Sequence, residues 1–168
     1  MRGKTVFYLI LSTLLLVVLV SGDWVRPSGV SYGEMFVENN TITTVINNQG
    51  LFENITAGMT EGTLKRMDYA DGMLTVLVPG MYDLSYTLSY SNSPNVEFET
   101  APGVNSLNQT NCHTSRKIGA GGDVGDIAAS CFVRLVANDQ ITIMIRNVIN
   151  TQDVIVEEAN LNLIRIDD

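Results

Sequence analysis

The segment Pro79–Tyr90, with the sequence PGMYDLSYTLSY, constrains the fold more than any other part of the chain. Its large residues fall on every second position, and smaller polar residues fall between them. Side chains of a β-strand point alternately to opposite faces, so the segment predicts a strand with one buried and one polar face. Three inward tyrosines need partners for their hydroxyls and a large opposing apolar surface, which an isolated hairpin does not provide. We therefore expect a two-sheet sandwich.

The rest of the chain after residue 30 repeats this pattern. Short apolar runs alternate with turn residues such as Asp71-Gly72 and Asn138-Asp139, and no segment has helical periodicity. We expect eight to ten strands, among them 33–37, 41–46, 73–78, 96–100, 127–136 and 141–146, with 51–61 left open and 101–111 as a loop. The predicted fold class is all-β, a jelly-roll sandwich of two antiparallel sheets. We expect the tyrosine strand and the terminal strand, residues 154–166, to lie in neighbouring layers.

Several apolar residues fall on the outward side of the last strands. Leu161 and Leu163 share one face of the terminal strand, whereas isoleucines occupy the other face. Large contiguous apolar patches are rare on monomers, so these residues are candidates for a contact between copies of the chain. The alternative is that the chain's own N-terminal strands cover them. The candidate interface residues are Phe132, Val136, Ile164 and Ile166.

The first 26 residues differ from the rest. Arg2 and Lys4 precede an uncharged run from Thr5 to Gly22, and Trp24 follows it. A signal-anchor helix fits the length, since eighteen residues rise roughly 27 Å. A cleaved secretory signal fits equally the small residues before Asp23. We expect an N-terminal segment 1–26 and a jelly-roll domain 27–168, membrane-anchored or exported, with the domain outside the cytoplasm.

Composition excludes some classes of partner. The net charge is -8, and the ten basic residues form no stripe that phosphates would bind, so we expect no nucleic-acid partner.

The single His113 stands beside Cys112, and neighbours on a strand point apart, so a Cys-His nucleophile is not expected. The turn 119–126 lacks the ending of a phosphate-binding loop. Asp123 and Asp126 are more often solvated than calcium ligands. We expect no enzyme, cofactor or metal site.

Cys112 and Cys131 lie at equal distances from the turn at Gly121-Gly122. If the flanking segments pair antiparallel, the two sulfurs meet, and export would favour a disulfide. Two buried free thiols are the alternative. Three acceptor patterns for N-glycosylation also occur, at Asn39, Asn54 and Asn108, although chance in an Asn-rich chain explains them as well.

These residues resemble the globular head shared by complement and tumour-necrosis-factor proteins. The resemblance rests on Gly80-Met81-Tyr82 before the aromatic strand, Gly125-Asp126-Ile127 before a late strand, and the closing strand 160–166. It implies a homotrimer built on the sheet that holds the terminal strand, with Phe132, Ile164 and Ile166 toward the axis. An anchor before the head is similar to the type II membrane arrangement of the tumour-necrosis-factor group.

The sequences of Gly33–Val37 and of residues 116–126 resemble jelly-roll domains of phage and viral structural proteins more closely still. This resemblance implies a virion component, a minor capsid or spike subunit held at a membrane among other structural proteins of the assembly. The alternatives are a cytokine-like ligand that binds a cell-surface receptor and a subunit of an extracellular filament.

Overall fold

A computed structural model describes residues 29–92, 95–119 and 123–167. The N-terminal segment 1–26 lies outside the described residues. No helix among the residues described is both long enough and apolar enough to span a bilayer.

The described chain forms two antiparallel sheets that pack face to face. Sheet I has the strand order β11-β7-β13-β1-β4, with β2 beside β13; sheet II has the order β10-β8-β12-β6-β5, with β3 beside β12 and β9 beside β8. Ten of the strands in the described residues have four or more residues, in agreement with the expected number. The bounds are β1 Tyr32–Val37, β2 Thr43–Thr44, β3 Glu53–Asn54, β4 Thr60–Lys65, β5 Met67–Ala70, β6 Met73–Val76, β7 Gly80–Ser91, β8 Glu97–Val104, β9 Leu107–Asn108, β10 Thr114–Lys117, β11 Val124–Leu135, β12 Gln140–Asn147 and β13 Val154–Arg165.

The predicted tyrosine strand is β7, an interior strand of sheet I between β11 and β13. Its five large alternating residues are at most 3% exposed, which confirms the period-two pattern; they are Tyr82, Leu84, Tyr86, Leu88 and Tyr90. The opposing layer is sheet II, which contributes Phe98 from β8 and Ile141, Ile143 and Ile145 from β12. Full burial of each such side chain contributes about 1.5–3 kcal/mol, so this interior is the main source of stability.

The terminal strand lies in the same sheet as the tyrosine strand, so the expectation of neighbouring layers is wrong. β13 pairs antiparallel with β7, with Leu161 opposite Tyr86 and Leu163 opposite Leu84. Their side chains point to one common interior, because directly paired residues share a face. The two strands are therefore hydrogen-bonded neighbours.

Two predicted boundaries are also wrong. Of the segment 41–46, only Thr43–Thr44 pairs with β13. Residues 101–111 are not a loop throughout: β8 continues to Val104, β9 follows, and a 3₁₀ turn spans Thr110–Cys112. The open segment 51–61 contributes β3 and the start of β4.

Pro102 explains why the continuation of β8 is hard to see in the sequence. Proline lacks an N–H and is normally excluded from central strands. Here the Pro102 carbonyl accepts from the Gln109 N–H at 2.8 Å, on the side of β9. N–H and C=O of one residue point to the same side of a strand, so the proline nitrogen faces the gap between β9 and β10. The ladder to β12 therefore loses no donor.

The Cys112–Cys131 disulfide joins the two sheets at one side of the sandwich. Its Cα atoms are 5.6 Å apart. The spacing argument assumed that the segments flanking the turn pair with each other, and this assumption is wrong. β10 pairs with β8, whereas β11 pairs with β7. The bridge instead ties the 3₁₀ turn, beside sheet II, to the edge strand of sheet I.

We predict that replacing both cysteines by serine lowers the free energy of unfolding by roughly 3 kcal/mol, since the disulfide closes a loop of about 20 residues. Urea unfolding of the wild-type and double-serine chains measures the difference. Wild-type protein in a reducing agent should match the variant. An unchanged midpoint in both cases would contradict a stabilising bridge.

We also predict a loss of stability at alkaline pH. Burial raises the pKa of Tyr82, Tyr86 and Tyr90 above the usual value near 10. Groups with a raised pKa in the folded state stabilise fully below the unfolded pKa and lose that contribution as the pH rises above it. Urea unfolding between pH 8 and 12 should show the decline beginning near pH 10.

Tyr86→Phe is the matched control for the alkaline decline. It should lower stability at neutral pH, because its hydroxyl donates to buried carbonyls, yet decline less steeply with pH. If all six tyrosines ionised near pH 10, as followed by absorbance at 295 nm, while the fold persisted, the explanation would be wrong.

Candidate interaction surface

The outer face of sheet I carries the candidate interface residues. Register places Tyr32, Ile164, Asp83 and Phe132 in one row across β1, β13, β7 and β11. Phe132 is 63% exposed, Ile164 50% and Ile166 52%. Val136, at the end of β11, is 59% exposed. The structure thus brings these side chains to one half of one face.

This apolar half has members that the sequence analysis did not single out. Tyr32 on β1 lies opposite Ile164, and Met81 on β7 lies opposite Arg134, one row further toward Ile166. Both side chains are only partly buried. For Tyr32, a signal was present in the sequence: Tyr32, Glu34 and Phe36 alternate along β1, and this alternation places all three on the outer face. We call Tyr32, Met81, Phe132, Val136, Ile164 and Ile166 the apolar half.

The described residues of the chain leave the apolar half uncovered. A large contiguous apolar patch on a sheet face is uncommon in a monomer. β4, which continues sheet I past β1, pairs edge to edge with Tyr32 and Phe36 rather than lying over the face. Covering by these N-terminal strands, the alternative raised by the sequence, does not occur within the described residues.

The middle of the same face is polar. Asn160 donates to the Glu34 carboxylate at 2.9 Å, and Asn162 donates to the Asn160 side-chain oxygen. Ser85 and Ser130 lie in the same row as Asn162. This line of amide groups separates the apolar half from the opposite end of the face.

The opposite end of the face is acidic. A shallow groove of about 580 Å³ lies between β1, β7, β11 and β13, and Glu38, Asp126 and Glu158 are among the residues that line it. Asp126 accepts a hydrogen bond from Ser89 at 2.5 Å. Lys65 and Arg134 stand at the apolar end instead, next to Tyr32 and Met81. Asp83 and Asp167 also lie at this end, so it carries charges of both signs, whereas the groove end is acidic.

Other predicted site residues lie elsewhere. The Asp123 carboxylate accepts from the Gly119 N–H at 2.9 Å and pairs with Arg116, whereas Asp126 faces the groove, so the two aspartates do not share a site. No cluster of three or more metal-ligating side chains occurs within residues 29–92, 95–119 and 123–167.

His113 belongs to a cluster on sheet II. Its Nε2 lies 3.1 Å from the Glu99 carboxylate, which also binds Arg146, and the Arg146 guanidinium stacks 4.6 Å above the Phe52 ring. Arg146 additionally donates to the Gly50 carbonyl at 3.1 Å. The cluster fastens the segment around Gly50 to β12. Cys112 is bonded to Cys131, so its sulfur is not a nucleophile beside this histidine.

The three glycosylation patterns differ in exposure. Asn39 and Asn108 are exposed, Asn39 in a turn after β1 and Asn108 on β9. Asn54 lies on β3, pairs with Met144, and has a buried side-chain oxygen. An attached glycan on Asn54 would need this side chain to leave its place.

Comparisons with known proteins identify the fold. The crystal structure of murine APRIL at pH 8.5 superposes with a TM-score of 0.57 and 11% sequence identity, covering 82% of this chain and all of that chain. The structure of Eiger TNF from S. frugiperda superposes with a TM-score of 0.56, also at 11% identity, covering 82% of this chain and 94% of that one. No protein-family model matches the sequence, and no curated protein does. At this identity the likeness concerns the fold alone: the described chain is a TNF-like jelly roll.

Proposed function

We propose that this protein is a non-enzymatic, trimeric binding head that recognises a partner protein outside the cytoplasm, as a cytokine-like ligand does. The observation that carries the proposal is the exposed apolar half on the outer face of a TNF-like sheet I. The resemblance to the tumour-necrosis-factor group implied a trimer through this same sheet. The fold likeness to Eiger TNF supports that implication more than a viral role.

Burial of the apolar half drives the association of copies. Phe132, Ile164 and Ile166 are each at least half exposed in the single chain. Apolar surface removed from water contributes about 25 cal/mol per Å², and aromatic residues contribute most at interfaces. Three copies related by a closed three-fold axis bury this half without leaving a free copy of it.

The polar and acidic parts of the face restrict which half packs. In a three-fold assembly the same ends of the copies meet, so packing through the groove end would bring Asp126 and Glu158 of neighbouring copies together. Like charges repel strongly when water is excluded from them. The trimer therefore packs through the apolar half, and the acidic groove stays hydrated.

The described chemistry favours binding over catalysis. A catalytic centre needs a nucleophile or base in a site where a substrate fits. Cys112 is in a disulfide, and His113 and Arg146 are both paired with Glu99. The groove on sheet I is open, and its lining combines acidic residues with small and apolar ones, among them Ser89, Ala128 and Phe36.

We propose that residues 1–26 place the head outside the cytoplasm, as an anchor or as an export signal. The disulfide supports an oxidising compartment. The chain enters the fold beside the apolar half: the Ser31 hydroxyl lies 3.2 Å from that of Tyr82, and the Ser31 carbonyl accepts from the Arg165 N–H. The apolar half therefore lies at the end of the sandwich where the described chain begins.

A virion structural component is the second candidate. The segments whose sequences resemble phage and viral jelly rolls correspond to β1 and to the region from β10 into β11. Both segments are parts of the sandwich itself, so this sequence similarity concerns the fold of the head and is compatible with either role. The trimer through sheet I serves both.

We predict that Ile164→Lys converts the trimer to a folded monomer. Asp83 lies opposite residue 164, but three copies of the new ammonium group must lose their water in the interface, and this desolvation costs several kcal/mol, which raises the dissociation constant by more than about a hundredfold. Sedimentation equilibrium gives the mass, and circular dichroism checks the fold. Ile164 points away from the core, so the monomer should stay folded.

Leu107→Lys is the matched control for the trimer. Leu107 is 71% exposed on β9 of sheet II, so the same change there should leave the trimer intact. A wild-type chain that is monomeric at micromolar concentration would refute the proposal. So would a trimer that survives Ile164→Lys.

We predict that the soluble head, residues 27–168, captures a cell-surface protein and that Ile164→Lys abolishes the capture, since a trimer presents three linked sites. Surface cross-linking followed by mass spectrometry identifies the captured protein. If the chain from its natural source instead co-sediments with gradient-purified particles, the virion role replaces the ligand role. Mass spectrometry of that chain shows whether residues 1–26 are retained.

A further inference from the structure

One row of residues crosses the outer face of sheet I and carries two opposite charges. The strand register aligns the row over five strands, and all its members point outward because directly paired residues share a face. In order from β11 to β4, the row consists of Phe132, Asp83, Ile164, Tyr32 and Lys65. Three large apolar or aromatic side chains therefore accompany one carboxylate on β7 and one ammonium group on β4.

The two charged groups are too far apart to pair within one chain. Adjacent strands lie about 4.8 Å apart, so the three steps from β7 to β4 separate the backbones of Asp83 and Lys65 by roughly 14 Å. An ion pair needs its nitrogen and oxygen within about 4 Å. The side chains of Ile164 and Tyr32 also stand between the two groups. A contact between them therefore joins different copies.

Both charges are available for such a contact. Neither Lys65 nor Asp83 has an ion pair or a side-chain hydrogen bond within the part of the chain that the structure describes. Nearby groups of opposite charge have other partners. Glu34, two residues from Tyr32 along β1, accepts from an asparagine on β13 at 2.9 Å. Arg134, two residues from Phe132 along β11, lies 3.9 Å from the carboxylate of Asp167.

A closed ring of three copies brings the two sides of the row together. Contacts in such a ring are heterologous, since each contact joins one patch to a different patch of the next copy. A rotation also keeps every residue at its own height along the axis. With the strands of sheet I along the axis, the β4 side of the row meets the β11 and β7 side of the same row in the next copy.

We propose that Lys65 of each copy pairs with Asp83 of the next copy, an inference that rests on the proposed trimeric function. The aliphatic stem of Lys65 packs against Phe132 of that next copy, while its ammonium group reaches the carboxylate one strand further in. Complementary charges fix the register of an interface, whereas like charges placed together oppose its formation. The pair thus determines which side of one copy faces which side of the next.

Charge reversal tests the pair. Asp83→Lys and Lys65→Asp each set like charges together at all three contacts, so each should raise the dissociation constant of the trimer by about tenfold or more. The double variant has an attractive pair in exchanged form and should return to within about threefold of the wild-type value. Sedimentation equilibrium gives these constants, and circular dichroism checks the fold.

Two matched controls lie on sheet II. Lys117→Asp on β10 and Asp68→Lys on β5 change the net charge by the same amounts at exposed positions. Both should leave the trimer intact. A loss of the trimer in these controls would show that net charge, rather than a specific pair, governs the assembly, and would overturn the proposal.

Carbodiimide coupling tests the contact in the unmodified head. The reagent joins a carboxylate to an amine in contact with it, and Lys65 and Lys117 are the only lysines in residues 27–168. Cross-linked dimers and trimers should therefore contain an amide bond between Lys65 and Asp83, identified by mass spectrometry. Lys65→Arg keeps the charge and the trimer but removes the amine, so this bond should disappear.

The trimer and the ion pair fail in different ways. A wild-type chain that is monomeric at micromolar concentration refutes the trimer itself. With a wild-type trimer, three results overturn the pair alone: single reversals that leave the dissociation constant unchanged, a double variant no tighter than the singles, or coupling of Lys65 to a different carboxylate.

Discussion

The tyrosine hydroxyls of β7 hold the two sheets at a fixed spacing. Tyr86 reaches across the interior and hydrogen-bonds the carbonyls of Thr100, on β8, and Cys112, in the 3₁₀ turn. Tyr90 donates to the Arg116 carbonyl on β10 at 3.2 Å, and Tyr82 to that of Val78 at 2.6 Å. A buried hydroxyl without a partner costs free energy, so Tyr86 and Tyr90 require their acceptors on the sheet II side of the core, whereas Tyr82 has its acceptor in the connection from β6 to β7. Sheet II is therefore placed by the same residues that define sheet I.

This requirement also places the disulfide. Because the Cys112 carbonyl is the acceptor for Tyr86, the 3₁₀ turn lies against the interior, and its sulfur faces β11. Cys131 is on the inward side of β11 opposite Leu84, one row from Tyr82 at the end of the tyrosine ladder. The covalent bond thus secures an arrangement that hydrogen bonding already selects, and it does so at the side of the sandwich where neither sheet continues.

The sandwich was predictable because alternation in β7 and β11 reports burial directly, whereas in β12 Thr142 and Met144 are buried as well as the alternating isoleucines. The pairing of the strands was not predictable, because alternation indicates which face of a strand is buried but not which strand lies beside it. That is why β13 was placed in the wrong layer: Leu161 and Leu163 suit an interior position beside Tyr86 as well as one opposite it. The extent of β8 was missed for another reason. Pro102 fits in this strand only because its nitrogen faces the gap between β9 and β10, where no hydrogen bond is lost, and the sequence does not show that gap.

The outer face was partly predictable for the same reason. Phe132, Ile164 and Ile166 stand out because they break the polar side of an alternating strand, whereas Tyr32 and Met81 join them only through the pairing of β1, β13 and β7. The polarity of the face, with acidic residues around Asp126 and Glu158, likewise follows from register. Sequence gives the members of a face one strand at a time, and the sheet order assembles them.

β11 shows how one strand presents three separate surfaces. Its odd-numbered side chains, such as Ile127 and Leu135, lie in the core, and its even-numbered side chains, such as Phe132, lie on the outer face. Its outward backbone forms the third surface, which no hydrophobicity pattern describes, because it depends on strand order alone. An uncharged run is ambiguous until that order is known: in a central strand it is required for burial, and at an edge it leaves the backbone open to pairing. At the edge of sheet I the chain's own side chains limit this opening, because Arg116 donates to the Val124 carbonyl and Asn111 to the Phe132 carbonyl.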